Sequence, residues 1–219
     1  MNELLFVLHC ALVSSGVLAG VYLGAEALTA VIVSYCLLAN LFVLKTITLF
    51  GFTATAADAF TIGATLGLNL LQEYYGKAPT RRALVANMLI LGIYLVMTVI
   101  HISYLPACTD STHALYCALL YPVPRIVIAS SVVYFCAQQI DYWLYGLLKV
   151  CTPTSWLVIR NYGSVVVSQL FDTVAFSLLG LYGLVDNIGS IMLISYVVKL
   201  LALVLCTPFL MISRRIIPR

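Results

Sequence analysis

Residues 83–105 read ALVANMLILGIYLVMTVIHISYL, an apolar run without a single Asp, Glu, Lys or Arg. At a helical rise of about 1.5 Å per residue, such a run crosses a hydrocarbon layer about 30 Å thick. Runs of similar character occupy residues 4–23, 27–50, 54–75, 125–148, 156–183 and 188–211. In lipid each helix satisfies its own backbone hydrogen bonds, so helices are the economical reading of every run. The sequence therefore predicts an all-α, polytopic integral membrane protein with about seven transmembrane helices. If the first run does not cross, six remain. Residues 112–122 are apolar but short, and read as an interfacial or re-entrant piece. No linker divides the chain, so residues 1–219 form one transmembrane domain.

Composition supports this reading. The chain is 63% hydrophobic and 9% charged, against about 25% charged residues in soluble domains. So few charges cannot cover a water-facing surface. A soluble enzyme, a nucleic-acid-binding domain and a disordered chain are excluded. Met1-Asn2-Glu3 places no Lys or Arg ahead of the first run. A secretory signal needs a basic start, so the run reads as a retained span.

Lys and Arg set the orientation. Lys77, Arg81 and Arg82 follow the third run; Lys149 and Arg160 bracket the gap between the fifth and sixth; Arg214, Arg215 and Arg219 follow the seventh. With seven spans all three groups fall on one side, read as cytoplasmic. The C-terminus is then inside and the N-terminus outside. Asp110 and Asp186 fall in loops on the opposite side, and Arg125 at a span boundary.

Gly16, Gly20 and Gly24 recur at intervals of four. Small residues so spaced let helices approach closely, either within the chain or between two copies in a homodimer. Cys10, Cys36, Cys136 and Cys206 lie inside apolar runs and read as small buried hydrophobes. Cys108 and Cys117 share a polar loop with His113, where a disulfide would form only in an oxidising compartment. No metal site is expected.

Function is read from the polar residues inside the spans. A charge at the bilayer centre costs about 2.5–3.5 kcal/mol on insertion scales. Glu73, Asp141, Asp172 and Lys199 lie in or near spans, so they should face a watery cavity or one another. Asn69 and Glu73 are four apart; Gln138–Asp141 and Gln169–Asp172 are each three apart, so each pair shares a helix face. The Gln-x-x-Asp pair thus occurs twice, each copy with an Arg upstream (Arg125, Arg160), a faint internal repeat. A carboxylate beside an amide can accept adjacent N–H donors and complete the edge of a purine-like ring. Tyr134 and Phe176 lie four residues from Gln138 and Asp172 and could stack on such a ring or simply pack. Lys199 is placed to pair with Asp172 or Asp141, or to contact the ligand. Lys45 reads as snorkelling to the interface, and Asp58 as a solvated helix end.

The chain contains no Gly-x-x-x-x-Gly-Lys-Ser/Thr loop, His-Glu-x-x-His pair or Gly-x-Ser-x-Gly elbow, so the motifs for ATP hydrolysis, zinc proteolysis and serine hydrolysis are missing. A non-enzymatic carrier without a cofactor fits best. The alternatives are a substrate-binding subunit that needs a separate ATP-driven engine, and an intramembrane aspartyl enzyme, whose Gly-x-Gly-Asp surroundings are missing.

Over residues 34–212 the chain also resembles the queuosine precursor transporter family. Ala39-Asn40 with Lys45 is similar to that family's Ala-Asn-…-Lys stretch. Residues 68–76, LNLLQEYYG, resemble its Thr-Asp-Ile-Ile-Asn-Glu-Val-Tyr-Gly segment. Arg125 with Ala129-Ser130, Gln138 and Asp141 matches its fifth-span pattern. Arg160-Asn161 followed by Ser168-Gln169, Asp172-Thr173 and Phe176 is the most specific match, with Tyr196, Lys199 and Pro208 in the last span. Asn69 stands where the family usually has Asp, and Ile62 where it often has Pro. The resemblance implies import of a 7-deazaguanine base (queuine, 7-cyano-7-deazaguanine or its aminomethyl form) across a bacterial plasma membrane for tRNA modification. It adds Asn40 to the substrate-binding set of Asn69, Glu73, Gln138, Asp141, Gln169, Asp172, Phe176 and Lys199. The partners are then a small purine-like molecule and the bilayer, with no nucleic acid.

Overall fold

A computed structural model describes residues 1–153, 156–182 and 188–216. Asp186, Arg219 and the last residue of the expected sixth span lie outside them. Along the chain run α1 (Asn2–Leu23), α2 (Ala25–Phe42), a hairpin of β1 (Thr46–Leu49) and β2 (Phe52–Thr55), α3 (Asp58–Tyr75), α4 (Lys77–Ser103), the short α5 (His113–Leu120), α6 (Val123–Cys151), α7 (Leu157–Phe176) and α8 (Ile188–Ile216). A π-helical turn, Ser177–Leu181, prolongs α7. Among the described residues, six helical segments are long and apolar enough to cross a membrane, α5 and α6 counted together, and α3 is not among them.

The reason is position. Every residue of α3 from Ile62 to Gln72 is buried, in the centre of the bundle. A helix without lipid contact has no need of an apolar circumference. α4 shows the opposite case: Val85, Leu89, Ile93, Val96, Met97 and Ile100 stand exposed along it. That surface would aggregate in water and is the expected face toward lipid. The chain is a multi-pass membrane protein, with α3 as the shielded seventh crossing.

Small residues set how closely α1, α2 and α3 meet. A Cβ on Gly63 would lie 2.1 Å from Val13 Cγ1, and one on Gly67 2.7 Å from Ile32 Cγ1. A Cβ on Gly16 would meet the Tyr35 hydroxyl at 2.0 Å, and one on Gly20 the Leu28 Cα at 2.9 Å. Gly24 forms the turn between α1 and α2. The glycine stripe of the first span is therefore used for packing within the chain.

The two ends of the bundle differ. At one end the Tyr74 and Ser213 hydroxyls meet at 2.9 Å, Lys77 Nζ lies 5.8 Å from the centre of the Tyr142 ring, and Glu73 joins Lys149 and Arg160. At the other end Asn2 donates to the Thr48 carbonyl (3.0 Å), and the Phe50 N–H donates to Glu3 (3.2 Å). Arg125 there donates to the Tyr182 carbonyl (2.7 Å), tying α6 to the end of the π turn. Seven crossings thus place the start of α1 and the end of α8 at opposite ends.

Three expectations need correction. The second span does not reach residue 50, because α2 ends at Phe42 and the chain turns into the hairpin. Thr46-Ile47-Thr48 are β-branched and favour strand. Phe50 (φ 51°) and Gly51 (φ 82°) both have positive φ, as a two-residue type I′ turn requires. The third span accordingly starts at Asp58 rather than residue 54, and Lys45 is exposed on the loop that enters β1 instead of at a helix end. Of the four cysteines read as buried, Cys136 is exposed on the outer face of α6, whereas Cys10, Cys36 and Cys206 are buried. Cys108 and Cys117 are free thiols, and Cys117 Sγ lies 3.3 Å from His113 Nε2. Asp110 accepts from the Thr112 hydroxyl and backbone N–H, both at 2.7 Å, and these bonds hold its carboxyl below the usual carboxylate range.

Gly63→Ala should lower the melting temperature of the detergent-solubilised protein, at a cost of about 1–3 kcal/mol for overpacking. A Cβ on Gly92 would meet nothing within 4 Å. Gly92→Ala should therefore match or exceed the wild type, by up to about 1 kcal/mol. In the hairpin, Phe50→Gly removes a side chain held at positive φ and should raise stability, whereas Gly51→Ala should lower it by about 1 kcal/mol. Thermal unfolding followed by intrinsic fluorescence checks all four.

Candidate functional site

α3 carries Asp58, Thr61, Thr65, Asn69, Gln72 and Glu73 at spacings of three and four, a polar stripe down one side. α6, α7 and α8 answer it with polar residues of their own, in three successive layers.

The layer at the end of α3 is ionic. Glu73 accepts from Arg160 (3.1 Å), Lys149 (3.2 Å) and the Tyr145 hydroxyl (3.1 Å). The Glu73 side chain is 3% exposed and that of Arg160 1%, and the guanidinium lies 5.9 Å from the centre of the Tyr145 ring. Glu73 therefore clasps α3 to α6 and α7.

The middle layer is neutral except for one carboxylate. Gln138 and Gln169 both donate to the Thr65 hydroxyl, at 3.0 and 3.3 Å. The two copies of the Gln-x-x-Asp pair thus converge on one atom of α3. Asn69 donates to Asn161 (2.8 Å), and Ser168 donates to Asp141 (3.3 Å), with Ser164 and Asn69 in reach. The whole layer is buried, and Gln169 Oε1 has no partner among the described residues.

The third layer opens into a pocket. Asp172 and Lys199 form a buried pair at 2.6 Å, and Lys199 also donates to the Thr173 hydroxyl (3.2 Å). Asp58, 4% exposed, accepts from Ser195 at 3.1 Å. Asn40 accepts from Ser130 and donates to the Cys36 carbonyl. Asp58, Asp172, Lys199 and Asn40 line a single pocket with Tyr134 and Phe176. Its empty space is about 790 Å³, the open mouth included. The π turn contributes Ser177 and Leu181 to its wall, and the hairpin contributes Thr55. The pocket thus belongs to the hairpin end of the bundle, opposite the Glu73 clasp.

Of the nine residues singled out from sequence, Asn40, Asp172, Phe176 and Lys199 line this pocket. Gln138, Asp141, Gln169 and Asn69 pack in the layer beneath it, and Glu73 lies at the far end. Asp58 corrects the sequence reading: it is a buried pocket wall, not a solvated helix end. Thr65 and Ser195 were not singled out. The signal was available, since Thr65 falls on the stripe that Asn69 and Glu73 mark, and Ser195 precedes Lys199 by four. Among the described residues no three His, Cys, Asp or Glu side chains gather closely enough to hold a metal ion.

Buried acceptors and donors beside two aromatic rings suit a planar polar solute, and the layers below offer it hydrogen-bonding groups toward the other end. Comparison with known proteins agrees with a transport role. The family described as "Putative vitamin uptake transporter" matches residues 59–213, which takes in α3 through α8. A "Probable queuosine precursor transporter" of Bacillus subtilis (strain 168) is 29% identical over 184 residues, covering 82% of this chain and 80% of that protein. No solved structure matches the chain. The family match thus spans the polar layers that α3, α6, α7 and α8 build, and the protein is a membrane transporter belonging to the vitamin uptake transporter family.

Proposed function

We propose that the chain imports a queuosine precursor, a 7-deazaguanine base such as queuine or 7-cyano-7-deazaguanine, which the cell uses in tRNA modification. The observation that carries this reading is the buried Asp172–Lys199 pair in the wall of a pocket flanked by Tyr134 and Phe176. A guanine-like edge sets N–H donors beside a carbonyl. Asp172 can accept from the donors while Lys199 donates to the carbonyl, and the aromatic side chains cover the ring faces. The B. subtilis relative's name supports the same class of solute. The middle layer of Gln138, Gln169, Asn69 and Asp141 would serve as the onward path.

The basic end of the bundle is then cytoplasmic by the positive-inside rule, in a bacterial plasma membrane. The N-terminus and the pocket face outward. The Glu73 clasp would close the inner side while the pocket is open to the outer one. The same site could serve as the membrane subunit of an ATP-driven uptake system, which the following experiment separates.

Purified protein in liposomes should take up radiolabelled queuine or 7-cyano-7-deazaguanine saturably, with competition from excess unlabelled base. Binding without uptake would favour the subunit reading, and neither would sink the proposal. Removing one partner of a buried charged hydrogen bond costs about 2 kcal/mol or more. Asp172→Asn should therefore weaken base binding about 30-fold or more. Glu73 is fifteen residues from Asp58 along α3, about 22 Å at the helical rise. Glu73→Gln should leave binding within about threefold while slowing uptake and lowering stability, since it leaves Arg160 without its carboxylate. Equal loss of binding in both variants would contradict the division between pocket and clasp.

A further inference from the structure

The pocket holds two carboxylates, Asp58 and Asp172, and one cation, Lys199. Lys199 is committed to Asp172 at 2.6 Å. Asp58 has hydroxyl partners only: Ser195, at 3.1 and 3.3 Å to its two oxygens, and Thr55. Among the described residues no Lys, Arg or His comes within 4.0 Å of it. The other titratable groups in the pocket wall are Cys36 and Tyr134, neither of which supplies a positive charge. At 4% exposure Asp58 is shielded from water. Lys199 acts on Asp58 across the pocket but is paired with Asp172, so with both carboxylates ionised this wall carries one negative charge more than its single lysine balances. The surplus charge is built into a ligand pocket, where the ligand is the remaining source of a cation.

We propose that Asp58 is a specificity-determining residue that anchors a protonated amine on the transported base, so that the carrier selects amine-bearing 7-deazaguanines over neutral ones. The inference rests on the reading of the pocket as a 7-deazaguanine site. Queuine and the 7-aminomethyl base each carry an amine on the substituent at ring position 7, protonated at neutral pH. The 7-cyano base has the same ring and no cation. The ring edge takes the Asp172–Lys199 pair, and the ammonium takes Asp58 and the Ser195 hydroxyl. Asp58 opens α3 and Ser195 lies on α8, so a bound amine links the first turn of the central helix to the last span.

The test is binding of the 7-aminomethyl and 7-cyano bases to the full chain in lipid nanodiscs, for wild type, Asp58→Asn and Asp58→Glu. Wild type should prefer the amine at least tenfold. Asp58→Asn should lose about 30-fold for the amine, the consequence of deleting one partner of a buried charge pair, and lower the amine-to-nitrile ratio at least tenfold. Asp58→Glu should restore most of the preference. The wild-type ratio requires no variant to fold. Equal wild-type affinities would overturn the anchor and leave the base-binding reading standing. Failure of folded wild type to bind either base would overturn both. Equal wild-type affinities together with uptake that follows a proton gradient, lost in Asp58→Asn, would replace the ammonium with a proton and overturn the anchor.

Discussion

A bilayer has no water to spare for α3. Its carboxylates, amides and hydroxyls lie in the middle of the bundle, and each must find a partner on a neighbouring helix. The rest of the arrangement follows. α6 and α7 turn Gln138, Asp141, Asn161, Ser168 and Gln169 toward Thr65 and Asn69, α8 turns Ser195 toward Asp58, and α1 and α2 press the opposite side through Gly63 and Gly67. One side of α3 is packed by shape and the other by hydrogen bonds. The shape-packed side permits no rearrangement without strain, whereas hydrogen bonds to hydroxyls and amides can change partner at small cost.

The charges are distributed by function. The Glu73 clasp gathers one carboxylate with two cations and a phenol, an arrangement satisfied from several directions. Around Asp58, Asp172 and Lys199 the balance is reversed, with more acceptors than donors and open space between them. Buried ion pairs contribute little net stability after desolvation, and breaking one is expensive. The clasp is a satisfied contact between α3, α6 and α7. The incomplete set at the other end is a place where an added solute can gain what the protein lacks.

The helical, membrane-spanning plan was legible because lipid imposes it: long uncharged runs have few other solutions. Lys199 pairs with Asp172, one of the two partners its depth allowed, and the face that the doubled Gln-x-x-Asp spacing marks on α6 and α7 is buried. Spacing alone could not show that the two copies point at one hydroxyl, Thr65, or that Asp141 and Asp172 serve different layers, because that depends on the rotation of α6 and α7 about α3. Asp58 was misread because a carboxylate at the first turn of a helix is usually solvated. Here the hairpin and α8 close over it. The hairpin itself was hidden in apolar residues that a hydropathy reading extends into helix, and only the β-branched Thr46-Ile47-Thr48 and the glycine at 51 marked it.

The polarity of α3 also bears on how the chain enters the membrane. A segment carrying Asp58, Thr65, Asn69 and Gln72 partitions poorly into lipid by itself. Synthesis proceeds from the N-terminus, so α1 and α2 are in place when α3 emerges, and they carry the surfaces that Gly63 and Gly67 fit. The hydrogen-bonding partners on α6, α7 and α8 are made only later. Insertion of α3 is consequently a cooperative event with the first two helices, and its polar side stays unmatched until the second half of the protein arrives. The nascent chain thus passes through an interval in which its most polar helix face is its least stable one.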